Sequence, residues 1–285
     1  MKRRIVFLLN PIAGTGSKSK IKRIIEKKLS ASDIDFEIHA TNAEGNYDAI
    51  RDKIVRDGVT DIVVAGGDGT ISSVVENLRD LPVVFGLIPC GSGNGLALSA
   101  GISKNPHKAL ALIFSGIPQL TDAFTINNGF SCMLSGLGFD AQVAHDFAKQ
   151  NRRGLVTYIK QTYSNFIKAK PYHFEIKAND IAITTEAFFI SIANSNQFGN
   201  QFTIAPKASI SDGLLDVVIV QKMNKLQMLF AVLHQIKRGE VKEIRHKKEG
   251  VMYYQTASLT INNIDDAPLH IDGDPKPTAA FFNIR

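Results

Sequence analysis

Apolar residues follow two rhythms along this chain, and the change near residue 122 divides it. Before that point, short apolar runs at 4–9, 62–65 and 83–88 have the length of buried strands. Phe36 to Ala40 alternates like a fourth strand. Between the runs Ile21, Ile24, Ile25 and Leu29 recur at helical spacing, with Ser17 or Ser19 placed to cap them. Val74, Val75 and Leu78 do the same, and Tyr47–Arg56 and Pro106–Ser115 read as further helices. Strands alternating with helices of this length predict right-handed βαβ crossovers and a doubly wound, Rossmann-like parallel sheet.

Beyond residue 122 the runs are short or alternating: 123–127, 130–136, 172–178, 181–184, 187–193, 214–220, 257–262 and 279–284. Asn-Asn-Gly, Ala-Asn-Asp and Asp-Gly turns separate them, which predicts an antiparallel β-sandwich or barrel. Two helices interrupt this part, one over about 154–169 and one carrying Leu226, Leu229, Phe230, Leu233 and Ile236. The expected architecture is thus an α/β domain over 1–122 followed by an all-β domain over 123–285.

Three glycine-rich loops fall at the carboxyl ends of predicted strands, where doubly wound sheets bind ligands. They are Asn10-Pro11-Ile12-Ala13-Gly14-Thr15-Gly16, Gly66-Gly67-Asp68-Gly69-Thr70 and Gly91-Ser92-Gly93-Asn94-Gly95. Glycine lets backbone amides approach an anion, and Thr70 is placed to cap the helix that follows. Asp68 beside a phosphate makes sense chiefly with a cation between them, which points to magnesium. A glycine turn in any α/β domain would read the same way. The first loop lacks the third glycine of a dinucleotide fingerprint and no GxxxxGK[ST] loop exists, so standard dehydrogenases and Walker ATPases are excluded.

Composition narrows the class. With 44% hydrophobic and 21% charged residues over 285 positions, the chain reads as an ordinary soluble globular protein. No apolar stretch approaches the roughly 20 residues a bilayer requires. The apolar run after Met1-Lys2-Arg3-Arg4 stops at Asn10-Pro11, too short for a secretory signal. Cys90 and Cys132, each in apolar context, predict reduced core thiols and a cytoplasmic address. The formal charge is +6, yet residues 1–28 alone carry +8 and the remainder −2. A basic start after a phosphate loop favours anionic partners. No aromatic-interleaved basic stripe suggests nucleic acid.

In order, the motifs resemble the diacylglycerol kinase catalytic-domain family, which includes soluble bacterial lipid kinases and sphingosine kinases. Carrying the resemblance are the Asn10-Pro11…Gly14…Gly16 loop, Gly66–Thr70, Pro89…Asn94, Gly136-Leu137-Gly138-Phe139-Asp140-Ala141, Ala205-Pro206, Asp212-Gly213-Leu214-Leu215-Asp216 and Asp272-Gly273-Asp274. The resemblance implies an N-terminal nucleotide-binding domain, a C-terminal β-sandwich that meets the lipid, and an active site in the cleft between them. It implies that Asn10, Pro11, Gly14, Gly16, Thr41, Gly66, Gly67, Asp68, Gly69, Thr70 and Ser92 line ATP. Asp272 matches the family's general base, and Asp68 and Asp274 would share magnesium, although many relatives have Glu at the latter position. Asp212 with the backbone oxygens of Ser209 and Leu214 matches a structural magnesium site, and Asp122 an acidic position tying the metal network together. From residue types alone, Asp272-Gly273-Asp274-Pro275 reads first as a β-turn, and Asp212-Gly213 equally as a turn before a strand.

The acceptor stays open. Sphingosine kinases place an acidic residue shortly after Gly-Phe, whereas Gln142 and Ala144 occupy that region here. With only Asp146 nearby, this weakens a sphingoid base as the substrate and leaves a neutral lipid hydroxyl in play. The expected activity is ATP- and magnesium-dependent lipid phosphorylation by a cytoplasmic protein, peripheral to the inner face of an anionic membrane. Lys237–Lys248, with net charge +4, and Lys149, Arg152 and Arg153 are candidate docking charges. A homodimer is compatible with this picture. The competing functions are a soluble-substrate kinase of the NAD-kinase type and a catalytically silent nucleotide-binding membrane sensor.

Overall fold

The first rhythm becomes a four-stranded parallel sheet. In the computed structural model, residues 2–11, 18–30, 32–42, 44–150, 155–179, 181–196, 204–225, 227 and 250–285 are described. They divide into two compact units, Met1–Leu120 and Thr121–Arg285. The first contains β1 (Arg4–Leu9), α1 (Lys18–Leu29), β2 (Asp35–Ala40), α2 (Asp48–Asp57), β3 (Asp61–Gly66), α3 (Asp68–Leu78), β4 (Val84–Pro89), α4 (Gly95–Ser99) and α5 (Pro106–Ser115). Strand order is β2-β1-β3-β4, with every pairing parallel. Because β2 lies to one side of β1 and β4 to the far side of β3, the chain leaves β1 and β3 in opposite directions. The space at their carboxyl ends is a topological switch point.

The central strands read as unbroken apolar runs because helices cover both faces. Ile5, Phe7, Val63 and Ala65 pack against Ile25 and Leu29 of α1 and Ala109 and Leu110 of α5. The alternate residues Val6, Leu8, Ile62 and Val64 are fully buried too, on the opposite face set by the pleat. Helix α5 is defined at both ends. Asn105 accepts from the His107 amide at 2.9 Å with Pro106 at the first helical position. At its other end Arg3 donates to the Ile113 carbonyl (2.7 Å) while paired with the buried Asp61 (2.6 Å). A cation there also complements the negative end of the helix dipole.

The second unit contains β5 (Phe124–Ile126), β6 (Gly129–Ser131), β7 (Leu134–Gly138), α6 (Phe139–Ala148), α7 (Leu155–Lys168), β8 (Tyr172–Ala178), β9 (Ile181–Ala193), β10 (Leu215–Gln221), β11 (Val251–Thr256), β12 (Leu259–Asn263), β13 (Leu269–Ile271), β14 (Asp274–Lys276) and β15 (Phe281–Ile284). The strands form one curled antiparallel sheet, ordered β14-β13-β7-β9-β8-β12-β15-β5-β6, with β10 on β9 and β11 on β10. Strand β9 joins its two halves: residues 181–187 pair with β8, and 187–193 pair with β10 and, from 189, β7. Ile190, Ile192, Val217 and Ile219 face a core shared with Phe174, Ile261 and Phe282. Phe189, Val218 and Val220 face the other way, where Phe139 of α6 and Phe166 of α7 cover them. The α/β plus all-β class expected from the two rhythms is the class observed.

Details differ from the pattern reading. Runs 181–184 and 187–193 are one strand, because the intervening polar residues have partners. Thr185 accepts from Gln221 at 3.0 Å and Glu186 pairs with Lys222 at 2.6 Å. Run 130–136 is two strands, broken where the amides of residues 132–134 turn toward a carboxylate. Strands β11, β13 and β14 have no pattern to announce them, being non-alternating or only three residues long. Ser19 lies inside α1 rather than capping it. Ser17, the stripe Leu226, Leu229, Phe230, Leu233 and Ile236, the run Lys237–Lys248, and Arg152 and Arg153 lie outside the described residues or side chains.

Candidate active site

In the first unit the parallel ladder continues one step past the strands. The Thr41 amide donates to Leu9 (3.0 Å), Asn10 to Ala65 (2.9 Å) and Cys90 to Gly66 (2.8 Å). The residues at the ends of all four strands are therefore drawn into line along the carboxyl edge. Across the switch point Asn10 Nδ2 donates to Thr70 Oγ1 at 2.6 Å.

Thr70 does not cap α3. The cap is Gly67, in extended conformation and without a side-chain bond, and the helix begins at Asp68. The first turn of α3 thus carries no capping side chain, an arrangement in which helix-start amides suit an anion. Thr70 is instead held by Asn10 and by the glycine beneath it. A Cβ on Gly66 would fall 2.7 Å from the Thr70 Cβ.

The second and third glycine loops pack backbone against backbone. A Cβ at Gly91 would lie 2.5 Å from the Gly67 Cα, and one at Gly67 would lie 3.0 Å from the Gly91 Cα. Asn94 closes the third loop from inside. It is buried and left-handed (φ 60°), accepts from the Gly91 amide at 2.8 Å and donates to the Gly91 carbonyl at 2.7 Å. The motif alone does not assign Asn94 this role. Its one signal is the tolerance of Asn for left-handed backbone. Asp68 Oδ1 lies 3.4 Å from the Leu96 amide, and Ser92, like Pro11, is exposed. Gly14 and Gly16 lie outside the described residues.

In the second unit Asp272 and Gly273 form the two-residue turn between β13 and β14, both left-handed (φ 50° and 84°). Asp-Gly is the dipeptide such a hairpin favours. The β-turn reading of this motif therefore holds, but the Asp272 side chain does more than make a turn. Its buried carboxylate accepts from Ser131 Oγ at 2.6 Å and from the Met133 and Leu134 amides, both at 3.1 Å, all on Oδ1. Oδ2 takes the Cys132 amide at 3.2 Å, with the Cys132 thiol at 3.8 Å. Asp274, two residues on, is exposed.

The residues assigned to a structural metal are gathered elsewhere in this unit. Asp122 Oδ2 accepts from the Gly213 amide at 2.6 Å, its own amide donates to Ile210 at 2.7 Å, and Asp212 Oδ1 accepts from Leu214 at 3.1 Å. The Ser211 amide donates to Ser209 Oγ at 3.4 Å in the same loop. Asn194, fully buried, bridges this group to the Asp272 cradle by donating to the carbonyls of Asp122 (2.6 Å) and Cys132 (3.2 Å). No sequence feature singles out Asn194. Among the described residues no three His, Cys, Asp or Glu side chains converge as a metal-binding group.

Asp216, on β10, is fully buried, and its Oδ1 has no partner. Burial first, and then the nearby Asp212, push its carboxyl up to about 6. The folded state then holds a proton that the unfolded chain releases near pH 4, so Asp216 makes stability fall as pH rises from about 4 to about 6. Asp216→Asn is expected to remove that slope and to stabilise the protein by roughly 3 kcal/mol at pH 7, with little gain at pH 4. Urea melts at the two pH values check this, and equal shifts at both would refute it.

The chain thus carries a parallel sheet with glycine loops at its switch point, followed by a curled antiparallel sheet presenting a cradled aspartate. Residues 4–126 match the diacylglycerol kinase catalytic domain, and residues 134–282 match the YegS C-terminal NAD kinase beta sandwich-like domain. The chain belongs to this family of diacylglycerol and lipid kinases. It is 25% identical over 294 aligned residues to a diacylglycerol kinase of Staphylococcus aureus, covering 100% of this chain and 91% of that one. It is 26% identical over 225 residues to a protein of Chromohalobacter salexigens named as a YegS-like lipid kinase, covering 76% and 70%. A Synechocystis sp. protein is 27% identical over 281 residues, and this chain spans 64% of its length. A solved diacylglycerol kinase structure from Bacillus anthracis str. Sterne superposes with a TM-score of 0.74 at 18% identity, covering 99% of this chain and 93% of that one. At that identity the likeness is one of fold.

Proposed function

We propose that this protein transfers the γ-phosphate of ATP to a neutral lipid hydroxyl, with magnesium. The observation that carries the reading is the Gly67–Gly91 backbone seat beside the Asn10–Thr70 bond, at the switch point of a parallel sheet. Such a seat offers amides and hydroxyls to phosphates and leaves no side chain in their way. Phosphoryl transfer depends mainly on positioning and charge neutralisation, and these loops are suited to both.

Magnesium takes oxygen ligands, commonly one or two carboxylates completed by substrate phosphates and water. Asp68 with the hydroxyl of Thr70 fits that requirement. Asp68 would hold the ion, with Asp274 as a second carboxylate. Bound there, magnesium would neutralise charge developing on the transferred phosphoryl. Asp212, Asp122 and the Ser209 and Leu214 carbonyls would hold the second, structural ion.

Asp272 is assigned to take the proton of the acceptor hydroxyl. Its donors keep the carboxylate in one orientation, which a base needs if it is to meet one hydroxyl. The acceptor is proposed to be reached at an anionic membrane surface, supported by the basic run 237–248 and the exposed Lys149. No described helix is long and apolar enough to cross a membrane.

The test is ADP release by purified protein against diacylglycerol, monoacylglycerol, sphingoid bases, ceramide and phosphatidylglycerol in vesicles, and against NAD in solution. Turnover with a neutral lipid supports the proposal. Phosphorylation of NAD without lipid overturns it in favour of a soluble-substrate kinase. ATP binding without ADP release from any acceptor identifies a silent sensor.

A further inference from the structure

Beside the Asp272–Gly273 turn sits a buried histidine–carboxylate pair that the proposed chemistry leaves unused. His270, on β13, is fully buried, and Asp140, in the first turn of α6, is 7% exposed. His270 Nδ1 accepts from the Gly273 amide at 3.2 Å. A ring nitrogen that accepts an N–H carries no proton, so the imidazole proton belongs on Nε2. That atom lies 3.4 Å from Asp140 Oδ2, while Asp140 Oδ1 accepts from the Ala141 amide at 2.8 Å.

Gly136 of β7, paired with His270 across the sheet, shows how closely this arrangement is fitted. A Cβ there would fall 2.0 Å from Asp140 Oδ2 and 2.6 Å from His270 Nε2. A side chain at this position would therefore displace the pair. Burying two polar groups at the edge of an apolar sheet is costly unless they are bonded, and the bond they make ends on the turn that carries Asp272.

We propose that Asp140 and His270 are positioning residues for Asp272. Asp140 fixes the tautomer of the imidazole, and the imidazole's acceptor nitrogen holds the Gly273 amide. The turn is thereby kept in the left-handed conformation that aims the Asp272 carboxylate at the amides of residues 132–134. The proposal rests on Asp272 being the base of the reaction. It also accounts for the Gly136…Asp140 spacing, since the glycine makes room for the carboxylate four residues on.

Asp140→Asn tests it with little change of shape. The amide oxygen can keep the Ala141 bond, which turns the new NH₂ toward Nε2. The imidazole then favours the opposite tautomer, and its Nδ1–H opposes the Gly273 N–H. The expected result is a fall in kcat of about 10- to 100-fold, the range seen when an outer residue orients a functional one. The KM for ATP should stay close to wild type, the melting temperature should fall only by what one opposed buried donor pair costs, and the nitrogen-15 pattern of the His270 ring should invert. His270→Gln, whose carbonyl can accept from Gly273, should retain more kcat than His270→Phe. Kinetics use the most active acceptor of the panel above, and the ring pattern is read without any acceptor.

A wild-type ring pattern or wild-type kcat in Asp140→Asn would overturn the proposal. So would a loss of kcat accounted for by unfolding at the assay temperature, or equal kcat in the Gln and Phe variants. Full activity in Asp272→Asn would refute the base assignment instead, while the ring pattern still reports whether Asp140 sets the tautomer.

Discussion

Asp272→Asn is expected to reduce phosphotransfer by about 10³-fold or more while ATP binding is retained, in line with the loss of a general base. The substitution keeps the size of the side chain and removes its capacity to take a proton. It also places an NH₂ among donors, since one carboxylate oxygen faces the Cys132 amide and the other faces Ser131 and two more amides. A donor opposed to a donor in a buried cradle costs about 1–3 kcal/mol. The variant should therefore melt lower and still bind nucleotide, because the proposed nucleotide loops belong to the other unit. Calorimetric titration with ATP, a thermal melt and ADP release on the same preparation separate these effects. Ser131→Ala removes one donor and leaves the carboxylate, so a modest loss of rate is expected there. A folded Asp272→Asn protein with wild-type turnover would remove Asp272 from the mechanism.

Gly91→Ala should act at the other end of the reaction. Its new methyl would sit 2.5 Å from the Gly67 Cα, against backbone that has no side chain to swing aside. The two loops must separate, and overpacking of this kind costs about 1–3 kcal/mol. Separation also moves Gly67, the residue that opens α3 and its first-turn amides, so ATP affinity should drop by at least about tenfold, equivalent to ~1.4 kcal/mol. Gly58→Ala is the control. It is left-handed at φ 65°, and a methyl added there would meet nothing within 4 Å. It should lose about 1 kcal/mol of stability and no nucleotide affinity. Equal ATP affinity in Gly91→Ala and wild type would refute the idea that the paired glycines form the phosphate seat.

Much of this architecture is legible in the order of residues alone. Strand β3 announces itself as an apolar run because both its faces are covered, and the loops that follow β3 and β4 carry the glycines their close approach requires. Asp272 is legible as a turn and, by resemblance, as a base. Its cradle is not. The donors come from residues 131–134, some 140 positions earlier, and two of the three amides belong to a break that an apolar run conceals. His270 is equally hidden, since a single histidine in a three-residue strand has no periodicity to betray it. Asp140 appears only as one letter of a motif. The reason for its spacing from Gly136 is a contact with a strand more than a hundred residues away. Thr70 fails as a cap for a related reason: its hydroxyl is engaged by Asn10, from another loop, and a glycine takes the cap position without a side chain to offer.

Strand β9 has a consequence for how the second unit can be cut. Its first half pairs with β8, its second half with β7 and β10, and at Ala187 both β8 and β10 are partners. The chain supplies those neighbours from positions before and after it, with β7 starting at Leu134 and β10 ending at Gln221. A break placed between them strips one flank from a strand whose residues 187–193 are all buried. Fragments ending inside that interval would expose an unpaired apolar edge and tend to associate with one another. The stretch from β7 to β10 is thus indivisible along the sequence, and a tag, nick or permuted terminus is best placed outside residues 134–221.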